Sequence, residues 1–236
     1  MKKLVSLTAI ALLFSAGTAL AQVGSGKQAM STVGDIIVGG GWCGYIIIGL
    51  SIASLALAIE HFVTIRRTKI APPELIDEIE ALFEEEEYQD ALELCESEPN
   101  FLTNMLAAAL PKINAGFSAM EKAVEDTSNE ESLKLQQKIS WISMISNIAP
   151  LLGLFGTVLG MIGAFDTITR LGATVTPADL SSGVAVALIT TMFGLMVGMP
   201  GLFFFFFFKN RVIKLTVELT AIAADLIERF RPQSST

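Results

Sequence analysis

Two hydroxyls stand where a hydroxyl is costly. Thr157 lies in the stretch 141–165 and Thr191 in the stretch 180–208, and neither stretch contains a charged side chain. Thr190 adjoins the second. A threonine hydroxyl donates one hydrogen bond and accepts others, so a row of them can hold water, an ion or a carboxylate. The competing habit is strong: a threonine in a membrane helix often bonds the carbonyl one turn back. Spacing alone leaves both roles open. Neither stretch holds Asp, Glu, Lys or Arg. A proton relay confined to this chain therefore lacks the carboxylates that such relays use, and a titrating group would have to come from another chain.

The elements that must position these hydroxyls are long apolar helices. Three uncharged stretches, 36–59, 141–165 and 180–208, each reach the roughly 20 residues that cross a hydrocarbon layer as a helix. The second span carries Gly153, Gly156, Thr157, Gly160, Gly163 and Ala164 on one stripe, and the third carries Ala187, Thr191, Gly194 and Gly198. Glycine inside a helix costs about 1 kcal/mol against alanine. Such stripes are tolerable where another backbone comes close, as membrane helices do when they associate. Pro150 removes a donor from the second span and predicts a kink or an entry point for water. Counting from the span centres at 1.5 Å per residue puts Thr157 about 6 Å and Thr191 about 5 Å outward of the midplane, in one layer. The run of phenylalanines at 203–208, ending at Lys209, reads as a lipid-facing end with a snorkelling lysine.

The remaining sequence orients the spans. Residues 1–21 begin with Lys2 and Lys3, continue apolar and end in Ala19-Leu20-Ala21, the pattern of a cleavable signal peptide. Basic residues follow the first span (Arg66, Arg67, Lys69), precede the second (Lys134, Lys138) and follow the third (Lys209, Arg211, Lys214). The positive-inside rule puts all three clusters in the cytoplasm. The expected layout is a signal peptide 1–21, a periplasmic N-terminus 22–35, a first span 36–59, a cytoplasmic helical domain 60–140, a second span 141–165, a periplasmic loop 166–179, a third span 180–208 and a cytoplasmic tail 209–236. The fold class is an all-α membrane protein with long cytoplasmic helical extensions.

In the cytoplasmic domain, Pro72-Pro73 starts a helix, residues 88–96 form a second, Glu98-Pro99-Asn100 breaks it, and 101–113 form a third. The acids at 84–87 read as a solvated helix face in preference to a cation site. Charged residues make up 17% of the chain, below the roughly 25% of a soluble domain, and the net charge is -8. That balance argues against a nucleic-acid partner. Cys43 and Cys95 fall on opposite sides of the membrane in this layout, and His61 is the only histidine, so the chain offers no usual metal set. No phosphate-binding loop or hydrolase motif is present. The expectation is a non-enzyme without a cofactor, working in the lipid bilayer.

Two segments carry a family resemblance: Leu152-Gly153-Leu154-Phe155-Gly156-Thr157-Val158-Leu159-Gly160-Met161, and Gly183-Val184-Ala185-Val186-Ala187-Leu188-Ile189-Thr190-Thr191. Together with Asp90-Ala91-Leu92-Glu93-Leu94-Cys95 they resemble the ExbB/TolQ/MotA proton-channel family over residues 36–211, most nearly its ExbB branch. The resemblance implies a homo-pentamer in the inner membrane, built around an ExbD-like single-span partner whose membrane aspartate carries the proton. It further implies TonB-like work at the outer membrane, with Thr157 and Thr191 facing the pore and Thr190 beside them. Gly153, Gly156, Gly160, Gly163, Gly194 and Gly198 would set helix contact, and Pro150 would shape the pore wall. Val186 stands where ExbB and TolQ proteins carry a glutamate, which opens the question of the proton route and of the ion itself. The rival reading is a non-conducting membrane scaffold that recruits partners through its acidic cytoplasmic segment.

Overall fold

The computed structural model describes residues 40–231. The expected signal peptide, the periplasmic N-terminus and the first four residues of the first span lie outside the described residues. Those described form helices and no strand. In order they are α1 (Gly41–Thr64), α2 (Arg67–Ile70), α3 (Pro73–Glu84), α4 (Tyr88–Ser97), α5 (Phe101–Ala109), a 3-10 helix (Leu110–Ala115), α6 (Phe117–Leu171), a short 3-10 turn (Gly172–Thr174) and α7 (Pro177–Glu228). α1, α6 and α7 are each long and apolar enough to cross a membrane. α6 and α7 run on well past the apolar stretches, so each joins an apolar span to an amphipathic extension without a break.

Local chemistry explains the boundaries. Pro73 occupies the first turn of α3, where a missing N–H costs nothing. Glu86 adopts a left-handed φ of 61° between α3 and α4, the sharp turn that separates them. Asn100 caps α5: its side chain accepts from the Leu102 and Thr103 N–H groups, and the Thr103 hydroxyl accepts from the Asn100 N–H at 2.7 Å. The third cytoplasmic helix was expected to continue to residue 113. It tightens to 3-10 after Ala109, because Pro111 has no N–H to give an α-helical bond.

Contacts divide the chain into two compact units. Among the described residues, one joins Leu151–Leu195 with residues 40–48, and the other joins Gly49–Pro150 with residues 196–231. The second unit holds a continuous apolar core with Ile79, Leu102, Met105, Leu106, Ile142, Phe208 and Leu219 at its centre. Ala91 and Cys95 pack into the same core from α4. His61 is buried, its Nε2 lies 3.0 Å from the Lys138 carbonyl, and its ring meets Phe208 edge to face. Pro150 nests against Gly198: a Cβ there would meet the proline Cγ at 2.5 Å.

The phenylalanine run corrects one expectation. It is not a uniformly lipid-facing end. Phe208 is wholly buried, and Phe204, Phe205 and Phe207 pack on the core, while Phe203 and Phe206 are 62% and 54% exposed. Six consecutive residues cover more than a full helical turn, so the run must face inward as well as outward. Phe62 on α1 receives the inward rings, meeting Phe208 at a centroid distance of 4.9 Å.

Candidate functional site: the glycine seam of the two long helices

Small residues let α6 and α7 meet backbone to backbone within the first unit. A Cβ on Gly153 would lie 2.9 Å from the Thr190 carbonyl oxygen and 3.3 Å from the Gly194 Cα. One on Gly160 would lie 2.6 Å from the Gly183 carbonyl oxygen and 2.9 Å from the Ala187 nitrogen. Real Cβ atoms do not come that near to a rigid backbone, so these sites exclude any side chain. Residue numbers rise on α6 as they fall on α7, so the helices pack antiparallel.

The two threonines of the hydroxyl reading fall on one edge of this seam. Each residue turns the helix by about 100° (3.6 per turn). On α6, Thr157 flanks the Gly153–Gly160 line on one side, and Gly156 and Gly163 flank it on the other. On α7, Thr191 flanks the Ala187–Gly194 line on one side, and Val186 flanks it on the other. In antiparallel helices a forward step on each turns toward the same side of the seam. Thr157 and Thr191 therefore share an edge. The contacts agree: the Thr191 hydroxyl reaches the Gly153 carbonyl at 3.4 Å, whereas Thr190 sits over Gly156 on the far side. The register sets Thr157 opposite residue 189 or so, which puts the two hydroxyl levels about 3 Å apart along the axis.

The hydroxyls are not equivalent. Thr157 donates to the Leu154 carbonyl at 2.6 Å, one turn back on its own helix. Thr190 is fully buried in the seam and lies 3.0 Å from both the Val186 and the Ala187 carbonyls. Thr191 alone reaches across to the other helix. A hydroxyl bonded to a carbonyl still presents its lone pairs, so Thr157 remains an acceptor toward whatever lies along the edge.

The opposite edge carries a cavity of about 310 Å³ under the first turn of α1, bordered by Trp42, Gly156, Gly160, Gly163, Val186 and Thr190. Trp42 packs edge-on against Phe155 at 6.0 Å. Gly163 opens onto free space, since a Cβ there would meet nothing within 4 Å. It does not touch α7, unlike Gly153, Gly156 and Gly160. Gly198 makes its close contact with Pro150 within the second unit. Gly183 and Ala164 belong to the seam as well, and Gly183 was missed among the expected packing residues. The signal was there: Gly183 and Ala187 form a small-xxx-small pair in line with Gly194.

Charge enters only at the ends of the seam. Asp179, in the first turn of α7, accepts from the Thr176 N–H at 2.9 Å and from the Thr176 hydroxyl at 2.6 Å. Those bonds hold its carboxyl below the usual range. At the end of α6, Arg170 stands 4.0 Å from Asp166, one turn back on the same helix.

Comparison with known proteins places this arrangement. The model of the MotA/TolQ/ExbB proton channel family matches residues 94–221, which include the whole seam. An ExbB homolog of Methanothermobacter thermautotrophicus is 29% identical over 70% of this chain and 59% of its own length. The biopolymer transport protein ExbB of Xanthomonas campestris pv. campestris is 32% identical over 47% of this chain and 44% of its own length. The ExbB-like protein 3 of Synechocystis is 24% identical over 79% of this chain and 91% of its own length. The chain thus spans only about half the length of the first two relatives.

Proposed function

We propose, on the premise that this chain belongs to the MotA/TolQ/ExbB proton channel family, that it is an ExbB-like subunit of an inner-membrane motor. Ion-motive force drives the motor, which energises TonB-dependent transport at the outer membrane. The observation that carries the reading is the shared edge of Thr157 and Thr191 on an antiparallel seam whose spans hold no charged group. Repeated around a ring, that edge forms a hydroxyl-bearing inner wall. Its hydroxyl oxygens can accept a hydrogen bond from water, or from a protonated carboxyl group supplied by another polypeptide, without themselves titrating. Thr190 is locked in the seam and serves packing in this reading.

The ring is a homo-pentamer around an ExbD-like single-span protein with a membrane aspartate, and it works with a TonB-like protein. The N-terminus is periplasmic and the C-terminus cytoplasmic, as the basic flanks at Arg66, Arg67, Lys209 and Arg211 suggest. Val186 puts no acid on the cavity edge, so the titrating group in this reading comes from the partner. The exposed apolar side chains of Leu151, Leu154, Val158 and Leu188 are then covered by lipid and by neighbouring subunits.

Thr157→Val and Thr191→Val variants, reconstituted with the partner and checked for intact assembly, test the reading. Ion-driven transport should fall by about tenfold in the double variant, the loss of two hydrogen bonds at about 0.5–1.5 kcal/mol each. Full activity in an assembled double variant removes both hydroxyls from the ion path. One observation favours a second reading, a non-conducting scaffold: the only proton of the Thr157 hydroxyl is already donated to Leu154. A scaffold would keep its partner-recruiting role when both threonines are valine.

A further inference from the structure

The second unit contains a groove of about 320 Å³ between α3 and the tail of α7. Its floor is apolar, made by Ile76, Ile222 and Leu226. Its walls are ionic, and their charges are unequally satisfied. Arg67 donates from Nε to Glu218 at 2.7 Å, and Arg229 stands 3.5 Å from Glu84 and 3.6 Å from Glu80. Both guanidinium groups are thereby balanced. Asp77 on α3 and Asp225 on α7 face the same groove and form no ion pair among the described residues. Two unmatched carboxylates thus stand on opposite walls above an apolar floor. The surroundings reinforce the sign: residues 73–111 contain twelve acids and no Lys, Arg or His.

We propose that this groove docks a basic amphipathic segment of another polypeptide, which lays apolar side chains on Ile76, Ile222 and Leu226 and sets Lys or Arg against Asp77 and Asp225. Apolar contact supplies the affinity, and the two carboxylates select the sign of the partner's charge and its register. A second copy of this chain is a poor occupant, because its own surface around the groove is acidic. The groove lies on the extension of α7, with Asp225 sixteen residues beyond Lys209, or about 24 Å along the helix. A short basic flank of a neighbouring membrane-spanning chain, expected on the cytoplasmic side, can reach that depth. Docking does not depend on ion conduction, so it stands or falls separately from the motor reading.

The test uses the full chain in nanodiscs of neutral phosphatidylcholine and a fluorescent amphipathic helix built from leucine and lysine, with empty nanodiscs as the blank. Anisotropy should show saturable binding. It should be lost when glutamate replaces lysine in the probe, and also when the leucines are dispersed around the helix. An Asp77→Asn/Asp225→Asn variant should bind about tenfold more weakly, the scale of two exposed ion pairs. Glu93→Lys/Glu98→Lys, which alters charge on α4 and its end, should leave binding nearly unchanged. Resistance of the buried Cys95 to thiol reagents verifies that each variant is folded. Absence of saturable binding overturns the proposal. So does an equal loss in the α4 variant, which would mean attraction to net charge alone. A changed subunit count in the Asp77/Asp225 variant would also overturn it, since the groove would then belong to contacts between copies.

Discussion

Gly160→Ala against Gly163→Ala is a decisive pair, because the two glycines lie on one helix, three residues apart, in opposite surroundings. A methyl at position 160 would come to 2.6 Å from the Gly183 carbonyl oxygen, 2.9 Å from the Ala187 nitrogen and 3.0 Å from the Ala187 Cβ. Two of those atoms are backbone of α7 and cannot swing aside, so the helices must part along the seam. Overpacking of this kind costs about 1–3 kcal/mol, and rigid neighbours put it near the top of that range. Alanine returns about 1 kcal/mol of helix propensity. The net expectation is a destabilisation of about 2 kcal/mol for Gly160→Ala. At position 163 the methyl meets nothing within 4 Å, so only the propensity gain remains, about 1 kcal/mol of stabilisation. The two variants should differ by about 3 kcal/mol, or about 6–12 °C in Tm for a chain of this size. Thermal unfolding of the full chain in one detergent, followed by circular dichroism, reads the difference directly. Equal Tm values for the two variants would refute the seam geometry and with it the shared edge of Thr157 and Thr191.

Other outcomes follow from the second unit. Phe208→Ala should cost about 3–5 kcal/mol, as a buried aromatic does, while Phe206→Ala at 54% exposure should cost well under 1 kcal/mol, checked by chemical denaturation. Burial, with the nearby Glu96 charge adding to it, pushes the Cys95 thiol up from its ordinary 9.0 to about 11. A raised folded-state value means that the neutral thiol contributes stability below pH 9, and that this contribution is lost as pH rises from 9 through about 11. Cys95→Ala should flatten the pH dependence of the unfolding midpoint in that window. Asn100→Ala should cost about 1 kcal/mol by removing the α5 cap, with amide exchange speeding first at Leu102 and Thr103.

Much of the molecule is legible along the chain, for identifiable reasons. Periodicity and the uncharged stretches announce three long helices, since a charge in hydrocarbon is costly and its absence over twenty residues is rarely accidental. Pro72-Pro73 and Glu98-Pro99-Asn100 mark helix breaks because proline lacks an N–H and asparagine caps. The small-residue stripes at Gly153, Gly156 and Gly160 announce a close approach, because glycine in a helix interior is otherwise unfavourable. The competing roles of a membrane threonine are legible too, but not which role each residue takes.

Those assignments required the tertiary structure. Thr190 and Thr191 are neighbours of the same type, yet one is sealed over Gly156 and the other reaches Gly153, because the register of α6 against α7 gives them different faces. Gly163 sits on the same stripe as Gly160 but opens onto a cavity, since the seam has by then turned away from it. The phenylalanines at 203–208 are identical in sequence and divided in space, with Phe208 buried beside His61 and Phe206 exposed. A local pattern specifies which surfaces must be covered. Which surface covers them depends on contacts between residues far apart in the chain, and no window of sequence contains both partners.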